Sequence, residues 1–79
     1  MKILLFARAR DLVGTDRIEL TTPASATIGE LRSRLAAQYP QLASLLAKSA
    51  FAVNDAYADD ATPIPLGAEV ALLPPVSGG

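Results

Sequence analysis

The stretch Thr27-Ile28-Gly29-Glu30-Leu31-Arg32-Ser33-Arg34-Leu35-Ala36-Ala37-Gln38-Tyr39 decides the fold. Thr27 followed three residues later by Glu30 spells a capping box, in which the hydroxyl and the carboxylate each satisfy a free amide at a helix start. Ile28, Leu31 and Leu35 then recur on one face, and Arg32 and Arg34 point elsewhere. Pro40 disfavours the helical conformation of the residue before it, so the helix ends at Tyr39.

Strand patterns flank this helix on both sides. Upstream, Pro23-Ala24-Ser25 breaks a strand over Arg17–Thr22, in which Ile18 and Leu20 alternate with Arg17 and Glu19. Before it, Lys2–Ala9 reads as a first strand with a near-continuous apolar run. Arg10-Asp11-Leu12-Val13 reads as one helical turn closed by Gly14. Downstream, Gln41–Lys48 reads as a second, shorter helix carrying Leu42, Leu45 and Leu46. Phe51-Ala52-Val53 is a third strand, Asn54-Asp55 a turn, and Ala56-Tyr57-Ala58 a fourth strand. Residues 59–65 are loop, Leu66-Gly67 a turn, and Glu69–Leu73 the last strand. Pro74-Pro75 forbids further ladder pairing. Strands joined by a helix cannot be a hairpin. The order therefore predicts an α+β fold, a mixed sheet with one main helix packed on one face, in a single domain over 1–79.

Composition removes most other chemistry. The 79 residues are 51% hydrophobic, enough for one small core. There is no cysteine and no histidine, so thiolate catalysis, the usual general base and the commonest zinc ligands are absent. The net charge is −1, and the closest basic cluster near the N-terminus, Arg8 and Arg10, is followed at once by Asp11. That is a poor footprint for nucleic acid. No apolar run approaches the roughly 20 residues of a membrane span. A strand begins directly after Met1 with no secretory cleavage pattern, and the expected location is the cytoplasm. Asp59-Asp60 is a carboxylate pair, but neighbours in a loop rarely converge, and it reads as a solvated loop rather than a metal site.

Alternation sorts the strand residues onto two faces. Ile3, Leu5 and Ala7 share one face of the first strand, and Leu4 and Phe6 share the other. In the last strand Val70 and Leu72 oppose Glu69, Ala71 and Leu73. Glu69 should face water, which puts Ile3, Leu5, Val70 and Leu72 under the helix and leaves Phe6 and Leu73 on the open face. Two readings stand for that face: scattered apolar residues of the ordinary kind, or a contiguous partner patch.

The C-terminal segment Pro74-Pro75-Val76-Ser77-Gly78-Gly79 is the remaining place for chemistry. Two prolines favour an extended exit from the sheet. Two glycines carry no side chain and fit a channel that any Cβ would block. The terminal carboxylate is a poor electrophile and needs activation, typically as an acyl-adenylate, before a sulfur nucleophile can attack. A terminal Gly-Gly alone is also what a frayed end looks like.

Over nearly its whole length the sequence resembles the molybdopterin synthase small-subunit family, ubiquitin-like sulfur carriers of the β-grasp fold. The matching pieces are Leu5-Phe6-Ala7 with Arg10, Leu12-Val13-Gly14, Ala52-Val53-Asn54, Leu66-Gly67 with Glu69-Val70, and the closing Pro74-Pro75-Val76-Ser77-Gly78-Gly79. The resemblance implies that an adenylyltransferase related to ubiquitin-activating enzymes uses ATP to activate the Gly79 carboxylate. A sulfur donor protein then converts it to a thiocarboxylate. The tail enters the large synthase subunit and gives sulfur to a cyclic pterin precursor, within a heterotetramer whose active site lies on the large subunit. No cofactor is expected on the chain itself, and no metal. The implied partner contacts are Phe6, Arg10, Tyr57 and Leu73 on the body, and Pro74, Pro75, Val76 and Ser77 leading to Gly78 and Gly79, with 74–79 a flexible functional tail. Leu73 departs from relatives that carry an aromatic there. A sulfur carrier for thiamine or another pathway, a protein modifier forming isopeptide bonds, and an inert β-grasp interaction module are the alternatives.

Overall fold

The computed structural model describes residues 1–22 and 26–75. Its elements are β1 (Lys2–Leu5), α1 (Ala7–Val13), β2 (Arg17–Glu19), α2 (Ile28–Gln38), a 3-10 turn (Pro40–Leu42), α3 (Ala43–Leu46), β3 (Ala50–Val53), β4 (Ala56–Ala58) and β5 (Val70–Leu73). The strands form one sheet in the order β2-β1-β5-β3-β4. β1 and β5 run parallel at its centre with Ile3 opposite Val70 and Leu5 opposite Leu72, and every other pairing is antiparallel. The mixed sheet is the expected one, and α2 packs across one face of it.

Helix α2 follows its local signals. Thr27 is the N-cap, and its hydroxyl accepts the Glu30 amide at 3.3 Å. The second half of the expected capping box differs: Glu30 accepts from the Thr27 hydroxyl at 3.5 Å, and no bond from its carboxylate to a helix amide forms. The remaining early amides are satisfied from the 59–65 loop, with Ile28 N donating to Thr62 O at 3.0 Å and Gly29 N to Asp60 O at 2.9 Å. A Cβ on Gly29 would stand 3.1 Å from that Asp60 oxygen, a tight contact, so the close approach of loop and helix favours glycine. The helix ends before Pro40 as expected.

Ile28, Leu31 and Leu35 are fully buried against Ile3, Leu5, Val70 and Leu72, with Val53 at the margin, which matches the expected core. Phe51 is the largest fully buried side chain. It lies on the same face of the sheet because it pairs with Leu72. Leu42 and Leu46 complete the core from the 3-10 turn and α3, which replace the single helix expected over 41–48.

Three boundaries depart from the sequence reading. β1 stops at Leu5 rather than Ala9, because Ala7 turns the chain with φ 51° and opens α1. α1 is therefore seven residues long instead of one turn. Alanine and arginine are good helix formers, and the longer helix buries Ala9 and packs Leu12 and Val13 on the core. It ends as expected at Gly14, whose φ of 88° and N–H bond to Arg10 O close it. β2 ends at Glu19, beyond which Leu20 exchanges hydrogen bonds with Met1, and β5 begins at Val70, trimmed by a turn contact. That contact comes from Asn54, whose side-chain oxygen accepts the Glu69 amide at 3.0 Å. Asn54 and Asp55 both have positive φ, the conformation that a two-residue hairpin turn between β3 and β4 requires. The strand break expected at Pro23-Ala24-Ser25 lies outside the described residues.

Candidate functional site

The face of the sheet opposite α2 is built by register. Leu4 pairs with Arg17 on β2 and with Ala71 on β5, Ala71 pairs with Ala52 on β3, and Ala52 pairs with Tyr57 on β4. These five residues form one row across the sheet. The next row toward the C-terminal end of β5 holds Leu73 opposite Ala50, with Phe6 one residue beyond the Leu5–Leu72 pair. Phe6 is still extended, at φ −125° and ψ 156°, so it keeps the alternation of β1 and its side chain stands on the open face with Leu4. The row at the other end is charged, with Lys2 opposite Glu19 and Glu69 one residue before Val70.

The face is thus zoned. Its apolar half lies at the end where the chain leaves β5 through Pro74. Phe6 is 45% exposed and Tyr57 82% exposed, at opposite sides of the sheet. Three strand spacings separate their columns, about 14 Å at roughly 4.8 Å each. Between them lie half-buried Leu73 and the small residues Ala50, Ala52 and Ala71. Two aromatic side chains flanking a floor of alanines make a shallow apolar seat rather than scattered exposure. Phe6 and Leu73 share the open face, as alternation predicts; the parallel pairing of β1 with β5 makes them neighbours, and Tyr57 joins them only through the alanine floor. Arg10 is exposed in the last turn of α1, an element that packs on the 3-10 turn and β5. Pro74 is half-buried and Pro75 exposed. Val76, Ser77, Gly78 and Gly79 lie outside the described residues.

Arg32, which the sequence reading placed off the apolar stripe without assigning it a partner, has several. It does not simply point to solvent beside α2. Its guanidinium donates to Leu46 O and, at 2.8 Å, to Ser49 O, pairs with Asp60 at 2.9 Å, and lies 5.1 Å from the Phe51 ring centroid. It ties the helix to the chain entering β3. Asp59 accepts from the Ala61 amide at 3.1 Å and the Thr62 hydroxyl at 3.0 Å. Both loop carboxylates therefore have structural partners. Among the described residues no three acidic side chains gather, and no helix is long and apolar enough to cross a membrane. A groove of about 500 Å³ lies at the charged end, lined by Met1, Thr21, Ile64, Leu66 and Glu69.

The chain matches the ThiS family model over residues 3–79. It belongs to the ThiS family. The molybdopterin synthase sulfur carrier subunit of Escherichia coli is 41% identical, covering all of this chain and 99% of that protein. The subunit of the same name in Dictyostelium discoideum is 40% identical over 99% of this chain and 94% of its own length. Among solved structures, SAMP1 from Haloferax volcanii superposes with a TM-score of 0.84 at 26% identity, over 99% of this chain and 97% of its own. A complex of subunits 1 and 2 of the Helicobacter pylori molybdopterin-converting factor matches with a TM-score of 0.69 at 28% identity, over 99% of this chain and 96% of the matched one. This ThiS-family chain therefore has the ubiquitin-like β-grasp expected from its residues.

Proposed function

We propose that this chain is the sulfur carrier subunit of molybdopterin synthase, loading sulfur on the Gly79 carboxylate. The observation that carries this reading is full-length similarity to sulfur carrier subunits of that name, at up to 41% identity and reaching residue 79. The zoned sheet face supports it. The apolar seat of Phe6, Leu73 and Tyr57 adjoins the point where Pro74 leaves the sheet, so a large subunit seated there would receive the C-terminal segment at the same time. The neighbour solved as a complex of two converting-factor subunits is a precedent for such a pair.

The chemistry runs in balanced steps. The carboxylate oxygen attacks the α-phosphorus of ATP, forming the acyl-adenylate and releasing pyrophosphate. A persulfide sulfur on a donor protein attacks the carbonyl carbon and displaces AMP, forming an acyl disulfide, and a second thiol then breaks the S–S bond, leaving the thiocarboxylate and a disulfide on the donor side. The thiocarboxylate sulfur bonds to the pterin precursor on the large subunit as a thioester, and water then cleaves the bond between that sulfur and the Gly79 carbonyl carbon, leaving sulfur on the pterin and the carboxylate on the carrier. The adenylyltransferase and the donor are separate proteins. A chain with no cysteine and no histidine leaves the terminus as the sulfur-bearing group.

The test is intact-mass analysis after incubation with activating enzyme, ATP and a sulfur source. Wild type should gain the sulfur-for-oxygen mass difference. Deleting Gly79 shifts the carboxylate by about 3.3–3.6 Å and should abolish the gain, since misplacement by ~1 Å already costs about 10²-fold in rate. Sulfur gain by the deleted chain at the wild-type rate would falsify the proposal. A second reading, protein modification, has the likeness to SAMP1 in its favour. It predicts a ladder of lysine conjugates in place of the thiocarboxylate.

A further inference from the structure

The two edges of the sheet are not equivalent. β2 closes one edge with Arg17 and Glu19, both charged and exposed, and charges on an edge discourage a further strand from pairing there. β4 closes the other edge with Ala56, Tyr57 and Ala58, which carry no charge and no proline. Among the described residues no backbone hydrogen bond reaches β4 from its outer side.

The hairpin register decides which groups that edge presents. In a two-residue hairpin the residues flanking the turn, Val53 and Ala56, form a hydrogen-bonded pair, and bonded and non-bonded pairs then alternate along the ladder. Ala56 and Ala58 therefore direct their N–H and C=O at β3. Tyr57, opposite Ala52, directs both of its own outward. Its side chain is also the most exposed part of the apolar seat. One residue thus offers a donor, an acceptor and an aromatic ring at the margin of the seat.

Carboxylates bracket this edge. Asp55 is exposed in the turn, and Asp59 makes both of its side-chain hydrogen bonds through Oδ1, so Oδ2 takes no part in them. A second copy of the chain added antiparallel about Tyr57 would set each Asp55 against the other's Asp59, and like charges directly opposite are destabilising. An extended segment with basic residues on either side of its central position meets the reverse situation.

We propose that β4 is a strand-addition site: an extended segment of the large synthase subunit, flanked by basic residues, hydrogen-bonds the outward N–H and C=O of Tyr57 while that subunit rests on the apolar seat. This rests on the reading of the open face as the large-subunit contact. Continuity and charge select the occupant. Tyr57 belongs to the seat, so a subunit covering the seat borders the β4 edge, and the flanking carboxylates oppose a second copy while favouring a basic strand.

The experiment combines amide hydrogen exchange, on the chain alone and with the large subunit, with calorimetric titration of four full-length chains: wild type, a synthetic chain N-methylated at Tyr57, Asp55→Asn/Asp59→Asn, and Phe6→Ala. In the free chain the Tyr57 amide should exchange freely while the Ala56 and Ala58 amides are slowed by the ladder. In the complex the Tyr57 amide should slow about tenfold or more. N-methylation removes an outward donor and keeps the ring, so that chain should melt as wild type does and bind about three- to tenfold more weakly. The asparagine pair keeps the turn and the Asp59 acceptor, and should bind about three- to tenfold more weakly at low salt, with the difference gone near about 1 M salt. An unprotected Tyr57 amide in a complex that Phe6→Ala weakens would overturn strand addition and leave the docking face standing. Wild-type affinity of the N-methylated chain or of the asparagine pair would do the same. A wild-type dimer in sedimentation with its Tyr57 amide protected would make a second copy the occupant and overturn the proposal. Wild-type affinity of Phe6→Ala would remove the docking face and this inference together.

Discussion

Replacing Arg32 with alanine tests how this small domain joins its helix to its sheet. The side chain is only 23% exposed, and it serves three structural elements at once. Removing it strips the guanidinium donors from the carbonyls of Leu46 and Ser49, one of which it meets at 2.8 Å. Hydrogen bonds from a charged donor contribute about 1.5–3 kcal/mol, less where water can replace the donor. The stacking on buried Phe51 adds about 0.5–2 kcal/mol. The Asp60 pair adds only ~0.2–1 kcal/mol, because that carboxylate side chain is 61% exposed and screened. These contributions share one group and do not add in full, so the expected loss is about 2–4 kcal/mol. For a domain of this size that is a fall of roughly 10–25 °C in melting temperature. Urea denaturation of three variants separates the causes. Asp60→Ala should cost under about 1 kcal/mol, since the Asp60 backbone carbonyl still holds the Gly29 amide. Arg32→Lys should recover less than half the loss, because one ammonium cannot span all the acceptors. If Asp60→Ala proved as damaging as Arg32→Ala, the exposed ion pair would be the tie and the carbonyl cradle would not.

Two further outcomes follow from the core and the first helix. Leu31→Ala removes a fully buried side chain between α2 and the sheet, and should cost about 2–5 kcal/mol in chemical denaturation with little change in m-value. Gly14→Ala puts a Cβ at φ 88° in open space, so the loss should be strain alone, about 1–2 kcal/mol, read as a lower melting temperature with an unchanged circular dichroism spectrum.

Much of the architecture could be read along the chain because it rests on local signals. Thr27 as a cap, the Ile28–Leu31–Leu35 spacing, Pro40 as a stop and Gly14 as a left-handed C-terminus each act within a few residues. Alternation along β1 and β5 placed Ile3, Leu5, Val70 and Leu72 under the helix and Leu73 on the open side, because strand periodicity leaves only two choices. The assignment of Phe6 to that side also held, although the strand ended at Leu5 rather than at Ala9 as its pattern suggested. An extended cap residue keeps the parity of the strand before it.

Only the tertiary structure decided the rest. The strain at Ala7 comes from the clamp between Asp16 and Leu5 and from the burial of Ala9, which reward ending the strand early, whereas alanine next to phenylalanine carries no local turn signal. The helical position of Arg32 is off the apolar stripe, and no local signal names its partners. Its acceptors lie 14, 17 and 28 residues away in sequence and meet it only after β3 and the 59–65 loop have docked. The alanine floor between Phe6 and Tyr57 likewise depends on β5 lying between β1 and β3. Sequence periodicity states which side of a strand a residue occupies. Which residues become neighbours across the sheet is set by long-range pairing, and a contact surface consists of those neighbours.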